Sequence, residues 1–226
     1  LVAASIIIPV RNEAKQLPEL LAGLQRLRNQ GCELILVDGG STDASLDIAR
    51  GQVDQLLTSS PGRARQMNTG AQAAQSEWLF FLHADTRLTP AAQERLLQLA
   101  KNPTPAWGRF DVVIQGQHPL LFLVAGLMNG RSRLMGIATG DQLMFMHLSL
   151  YQAVGGFPDQ PLMEDVEMSK RLKKLRKPLS CREKVITSGR RWDEQGFWRT
   201  VSLMWSLRWR YWRGVSAQEL VKDYYS

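Results

Sequence analysis

Apolar residues in this chain fall in short runs that stop at polar, turn-forming residues. Residues 5–10, SIIIPV, make a β-branched run that ends at Arg11-Asn12-Glu13, and the spacing Leu17, Leu20, Leu21, Leu24, Leu27 predicts a helix closed at Gly31. The pattern then restarts. Residues 34–37 read as a second strand, Ser41-Thr42-Asp43 offer N-cap residues, 46–49 continue a short helix and 55–58 a third strand. A helix over 63–75 leads into a fourth apolar run at 78–82, which ends in His83-Ala84-Asp85. Continuous apolar strands separated by helices imply a parallel sheet covered on both faces and joined by right-handed crossovers. The expected fold is therefore α/β, doubly wound, with a mostly parallel sheet. Ligands of such sheets sit at the carboxyl ends of the strands, and Asn12, Glu13, Asp38, His83 and Asp85 all fall there.

The second half is less regular. Strands are expected over 107–114 and 142–146, a buried helix over 120–128, and a helix over 164–175 whose acidic start and basic end suit its macrodipole. No repeat or low-complexity segment interrupts the chain, so one domain over 1–192 with a C-terminal helical extension over 193–226 is expected. In that extension Trp198, Val201, Trp205, Trp209 and Trp212 fall within a stripe of roughly 80° at about 100° per residue. Arg199, Arg208, Arg210 and Arg213 lie to either side. Two readings stay open: the helix packs this stripe on its own domain with snorkelling arginines, or residues 197–213 rest on an anionic membrane or a second subunit as a homodimer face.

Composition narrows the picture little. With 226 residues, 44% hydrophobic and 22% charged, the chain has ordinary globular make-up, which excludes collagen-like, coiled-coil and disordered classes. Cys32 and Cys181 are too isolated for a disulfide framework or a zinc site, so a reduced compartment is expected: the cytoplasm, or the inner face of a membrane. Leu1 is not an initiator, so a trimmed start is expected. No signal-peptide pattern follows it, and the longest apolar run, 119–128, is far short of the ~20 residues of a spanning helix. Charge changes the picture more, because it is regional. Residues 170–226 carry fifteen Lys/Arg against five Asp/Glu, whereas residues 1–169 balance at −3. The basic segment suits a polyanion, a diphosphate-bearing small molecule or an anionic membrane, or it is a solvated face that aids solubility.

The most informative stretch is VDGGSTD, residues 37–43. A carboxylate that leaves a buried strand for a Gly-Gly turn is costly without a partner, and the glycines let a ligand approach the backbone closely. Asp38 is thus a ligand candidate, with helix capping as the alternative; Asp43 is expected to cap.

SIIIPVRNE at 5–13, VDGGSTD at 37–43, GRARQMNTG at 62–70, LHADT at 82–86, GDQ at 140–142 and MED at 163–165, in this order, resemble a family 2 glycosyltransferase of the GT-A, Rossmann-like fold. The resemblance covers about residues 5–192. It implies that Asp38 meets the nucleotide base, with Pro9, Arg11 and Glu13 beside the nucleoside and Arg63 and Arg65 on a helix facing the nucleotide. It further implies that Asp85, matching the last acid of Asp-x-Asp, holds Mn²⁺ or Mg²⁺ against the phosphates of a nucleotide-sugar donor, a UDP-sugar being favoured. That role suits hard cations, which need only one or two carboxylates besides phosphate. His83 replaces the first acid; it can hydrogen-bond the ribose, join a Mn²⁺ shell or shape the loop. Gln66-Met67-Asn68 also depart from the family's usual Ala-Arg-Asn.

By the same resemblance Asp165 is the catalytic base of an inverting transfer, taking the acceptor hydroxyl's proton. Glu164 serves structure or acceptor, and Gly140, Asp141 and Gln142 flank the sugar and acceptor pocket. Arg191 pairs with the diphosphate and Trp192 stacks on an acceptor, which is a small molecule or lipid-linked. Ser188 stands where processive members carry glutamine, so single transfers are implied. The GRARQMN, LHADT and RRW strings look most like small bacterial transferases associated with arsenosugar biosynthesis or radical-SAM clusters. Two other readings compete. A sugar nucleotidyltransferase would carry a Gly-rich phosphate loop after the first strand, and PVRNEAKQ has no glycine. A nucleic-acid-binding module would use the basic, Trp-rich C-terminus but leaves the acidic crevice unexplained.

Overall fold

The structure, a computed structural model, describes residues 2–225; Leu1 and Ser226 lie outside the described residues. The first half follows the expected alternation: β1 (Ser5–Val10), α1 (Leu17–Asn29), β2 (Glu33–Asp38), α2 (Ser45–Ala49), β3 (Gln55–Thr58), α3 (Arg63–Ala73) and β4 (Trp78–Phe81). A short β5 (Thr86–Leu88) and α4 (Pro90–Ala100) follow. The second half contains β6 (Trp107–Gln115), α5 (Leu121–Met135), a 3₁₀ turn at Gly140–Gln142, β7 (Met144–His147) and α6 (Leu148–Ala153). It closes with α7 (Glu164–Leu175), β8 (Leu179–Ser188), α8 (Arg190–Gln195), α9 (Phe197–Trp212) and α10 (Ala217–Tyr225).

All eight strands form one sheet in the order β3-β2-β1-β4-β7-β6-β8-β5. The β3-β2-β1-β4 part is parallel, as is β6 with β8, while β7 and β5 run antiparallel to their neighbours. Burial on both faces explains the unbroken apolar runs. Ile6, Ile8, Leu34 and Leu36 point into a core under α1 and α4; Ile7, Ile35 and Val37 point to the opposite core under α3 and α7.

At the amino edge of the sheet the buried Glu33 accepts from the Ser5 hydroxyl (2.7 Å) and the Gln55 amide (2.6 Å). At the carboxyl edge the Gln66 amide donates to the carbonyls of Val10 (2.7 Å) and Val37 (2.9 Å), bracing β1 against β2.

Two expectations are corrected. The 142–146 strand starts at Met144, because Gln142 is drawn into the 3₁₀ turn, where it closes a capping box with Thr139. The helix expected to be buried over 120–128 runs to Met135 and buries only Leu121, Ala125 and Ser132; Phe122 and Leu134 are 73% and 89% exposed. The run is apolar all round, but only one side meets β6 and α9. The aromatic stripe of α9, for which two readings stood open, is a separate matter. This helix packs inward through Phe197, Thr200 and Leu207 and leaves Trp198, Trp205, Trp209 and Trp212 facing outward. Among the described residues no helix is long and apolar enough to cross a membrane.

Candidate active site

The carboxyl ends of β1 and β4, the end of β8, and the helices α8, α9 and α10 enclose a cleft of about 630 Å³. From the first half it is lined by Pro9, Arg11, Glu13, Arg63, His83 and Asp85, and from the second by Asp141, Arg191 and Trp192. Residues distant in sequence meet here because β1 and β4 are neighbours and the chain returns over their ends.

Two loops of the first half are laced together. The Asn12 side chain accepts from the Thr42 amide (2.7 Å), the Ser41 hydroxyl accepts from the Asn12 amide (2.9 Å), and Asp43 accepts from the Ala14 amide (3.1 Å). Asn12 holds φ at 56°, Leu143 at 45° and Met163 at 64°; each of these left-handed residues adjoins a loop carrying candidate residues, where surrounding structure sustains the strain.

The acids diverge in character. Burial pushes the Glu13 carboxyl up, against the pull of Arg190, whose guanidinium lies 3.7 Å away, and the Oε2 atom of Glu13 is buried without a hydrogen-bond partner. Burial likewise pushes Asp85 up and the nearby Asp141 adds to it, while His83 and the Thr86 hydroxyl oppose. Burial acts on Asp141 in the same sense, but His83, 3.6 Å from its carboxylate, together with Arg63 and Arg208, holds Asp141 below the usual range. Glu164 is pushed up by burial although Arg63 lies 3.6 Å away; Arg63, whose charge burial disfavours, is held above its ordinary value by that same Glu164. One corner thus holds an acid whose proton is held more tightly than usual beside one whose proton is held more loosely, an arrangement suited to cations and to proton transfer.

Other candidates lie off the cleft wall. Asp38 is buried, and its carboxylate accepts from the amides of Gly40 (2.9 Å) and Ser41 (3.0 Å) in its own turn. A Cβ at Gly39 would meet the Gln66 side chain at 2.8 Å, so that glycine serves packing. Arg65 turns outward to Asp159 (2.8 Å). Gly140 donates its amide to Asp165 (2.8 Å), and a Cβ there would strike the His83 ring. Gln142 is fully buried. Asp165 is tied through the Gly140 amide to the 3₁₀ turn that presents Asp141. Sequence reasoning missed Arg190, Tyr224 and Gln66. Arg190 was visible beside Arg191 in the Arg-Arg-Trp string; Tyr224, whose ring lies 3.8 Å under the Arg191 guanidinium, had no local signal.

Among the described residues no group of three or more His, Cys, Asp or Glu is disposed to hold a metal ion. Asp85 and Asp141 nevertheless give two hard oxygen donors in one corner with His83 close to both. The three are not placed as a closed ligand set; the two carboxylates are the hard oxygen donors that a cation bound mainly through a diphosphate would use.

A mixed, doubly wound sheet with a charged cleft at its carboxyl edge is the architecture of GT-A transferases. Residues 5–121 match the model of Glycosyl transferase family 2, and the chain belongs to that family. It is 42% identical over 94 residues to the PGL/p-HBAD biosynthesis glycosyltransferase of Mycobacterium bovis (strain BCG / Pasteur 1173P2), a match covering 38% of this chain and 37% of that one. It is 33% identical over 109 residues to the undecaprenyl-phosphate 4-deoxy-4-formamido-L-arabinose transferase of Pseudomonas syringae pv. syringae, covering 43% of this chain and 32% of that one. These matches span about a third of each relative's length. Among solved structures, S. aureus TarS 1-349 is similar at a TM-score of 0.64 and 16% identity, over 81% of this chain and 60% of that one. The mannosyltransferase PcManGT from Pyrobaculum calidifontis, in complex with GDP-Man and Mn²⁺, gives 0.60 at 20% identity, over 81% and 56%. At such identities the likeness is one of fold.

Proposed function

We propose that the chain is the catalytic unit of an inverting glycosyltransferase that moves a sugar from a nucleotide-diphosphate donor, a UDP-sugar first among candidates, to a hydroxyl of a small-molecule or lipid-linked acceptor. The observation that carries this reading is the cleft itself: Glu13 and Arg191 each aim a buried, unpartnered polar atom at it, beside the Asp85, Asp141 and His83 corner. Unsatisfied buried polar atoms are costly, and a bound polar ligand removes that cost. Pro9, Arg11 and Glu13 border the nucleoside, and Asp38 accepts a hydrogen bond from the base. Arg63, Arg190 and Arg191 face the diphosphate. Asp85, with Asp141 or His83, would hold Mn²⁺ or Mg²⁺, which neutralises charge on the departing diphosphate.

Asp165 is the base. As the acceptor oxygen bonds to the anomeric carbon and the bond to the diphosphate breaks, the hydroxyl proton passes to Asp165, and the Gly140 amide fixes its carboxylate. Glu164 positions Arg63, Arg65 is a surface residue, and Trp192 borders the acceptor. Resemblance of the GRARQMN, LHADT and RRW strings supports a place among the small bacterial transferases associated with arsenosugar or radical-SAM clusters. Residues 193–226 work as part of the catalytic unit, since Thr200, Met204, Val221 and Tyr224 line the cleft.

A membrane-surface location at the cytoplasmic face is favoured by a separate observation. The outward tryptophans of α9, 60 to 77% exposed, and the exposed Phe122, Leu123 and Leu127 of α5 lie on two helices that pack together through Leu121, Ala125 and Phe197.

Thermal shift with UDP-, GDP-, CMP- and dTDP-sugars, each with and without Mn²⁺ or Mg²⁺, tests the donor. A ligand at about 100 times its Kd adds ~2.7 kcal/mol. A metal-dependent shift with one nucleotide is expected; no shift with any sinks the reading. Flotation with anionic vesicles tests the membrane contact, and its absence at low salt removes that part.

A further inference from the structure

We propose that Arg131 and Arg208 form an anion subsite on the acceptor side of the cleft, which takes a phosphate carried by the acceptor. The inference rests on the transferase reading, since it names the class of the second substrate.

Most arginines of this region have partners. Arg109 is fully buried, yet it pairs with Asp111, donates to the Ser132 hydroxyl (2.9 Å) and reaches the Asn129 carbonyl (3.1 Å). Arg133, two residues beyond Arg131, also pairs with Asp111. Arg131 differs: its Nε and Nη2 atoms are buried with no hydrogen-bond partner. Burial, reinforced by the charge of Arg208, pulls its guanidinium down to about 10, and Asp165 opposes. Asp165 does not satisfy it by hydrogen bonding. Its carboxylate accepts instead from the amides of Gly140 (2.8 Å) and Val166 (2.7 Å). A guanidinium without partners costs stability unless an anion completes it.

Position identifies the anion's source. Met128 of α5 and Met204 of α9 line the cleft, and Arg131 and Arg208 follow them at i+3 and i+4, so they continue the same helix faces past the lining. Arg208 is near enough to act on Asp141 as well. The pair therefore sits beside Asp165 and Asp141, on the side of the cleft that α5 and α9 form. The flanking helices carry the exposed apolar face, so a phosphate borne on a lipid can reach the pair with its chain against α5 and α9; a soluble phosphate ester would use the cations alone.

The test is direct binding to the whole chain, followed calorimetrically with octyl phosphate, glycerol 3-phosphate and octanol, in wild type, Arg131→Gln, Arg131→Lys and Arg208→Gln. Both phosphates are expected to bind wild type and octanol not to substitute for them. Arg131→Gln should weaken phosphate binding about tenfold or more, Arg208→Gln somewhat less, and Arg131→Lys should keep part of it. Tighter binding of octyl phosphate than of glycerol 3-phosphate assigns a lipid-borne acceptor; equal binding assigns a soluble one. UDP should neither displace octyl phosphate nor bind more weakly to the variants. Arg131→Gln should keep or raise Tm, because it removes a buried unpaired charge. Unchanged phosphate affinity in Arg131→Gln, or a matched loss of UDP affinity, overturns the proposal. Failure of UDP-sugars to bind wild type would count against the donor reading alone, while the phosphate arms still report on the subsite.

Discussion

The two rims of the cleft are built in different ways. The rim from the first half is held by short hydrogen bonds between backbone and small polar side chains: Asp38 by two amides, Asn12 across to Thr42, Asp43 across to Ala14. The rim from the second half consists of helices whose long side chains leave atoms unpaired, Arg131 and Arg191 among them, and whose outer faces expose Phe122, Leu127 and four tryptophans. Among the described residues the first rim leaves one buried side-chain atom without a hydrogen-bond partner, Oε2 of Glu13, and the second leaves three. On the proposed function this separates a pre-organised side that recognises a common donor from a side shaped by whatever acceptor and surface it meets.

The largest expected effect lies on the second rim. Asp165→Asn should lower kcat by about 10²- to 10⁴-fold with donor Kd unchanged, read by steady-state kinetics beside calorimetry. Equal losses in kcat and donor affinity would mean that the two rims are not separable. The next effect lies where the rims touch. Gly140→Ala drives a methyl into the His83 ring and should cost about 1–3 kcal/mol in urea unfolding, as overpacking does. His83→Ala in the same chain should recover most of it, and a double-mutant cycle reads the coupling.

A smaller effect concerns Glu164. Its carboxyl is raised by burial, so the folded chain holds that proton more tightly than the unfolded one. The stability this gives is complete below the ordinary Glu range and is lost as pH rises through the raised value. Glu164→Gln should flatten the decline, so Tm measured over a pH series turns in favour of the variant as pH rises. The smallest effect is Trp205→Ser, which should change stability by less than about 0.5 kcal/mol while reducing vesicle binding, since the ring is 71% exposed.

Legibility in the sequence follows the same division. Runs such as SIIIPV and ELILVD are buried on both faces, and their ends announce the crevice, so β1 to β4 and the residues after them are readable. β5 is three residues long, and β8 carries Arg182, Glu183 and Lys184 within a strand, where local pattern argues for a loop. Pairing with β6 on either side of a bulge at Arg182 and Glu183 decides the matter, through a partner about seventy residues away in sequence. The helix α4 did carry a signal: Thr89 accepts from the Ala92 amide and Pro90 opens the first turn. At the site, clefts that depend on chain return were hidden. Nothing near Tyr224 indicates that it meets Arg191, and nothing in VDGGSTD reveals that Asp38 finds its partners in its own turn.

The bracing of the sheet at its two edges has a consequence for how the chain finds its fold. A strand with one wet face sets its own register, because a one-residue slip would exchange apolar and polar faces. Strands β1 and β2 lack that information: shifted by one residue, SIII against LILV still presents apolar side chains to both cores. The choice among near-equivalent alignments falls to the polar groups at the ends, with Glu33 accepting from Ser5 and Gln55 at one edge and Gln66 spanning the Val10 and Val37 carbonyls at the other. Glu33 and Gln66 thus act as address marks for strand alignment, and a chain without them would lose uniqueness of structure before it lost compactness.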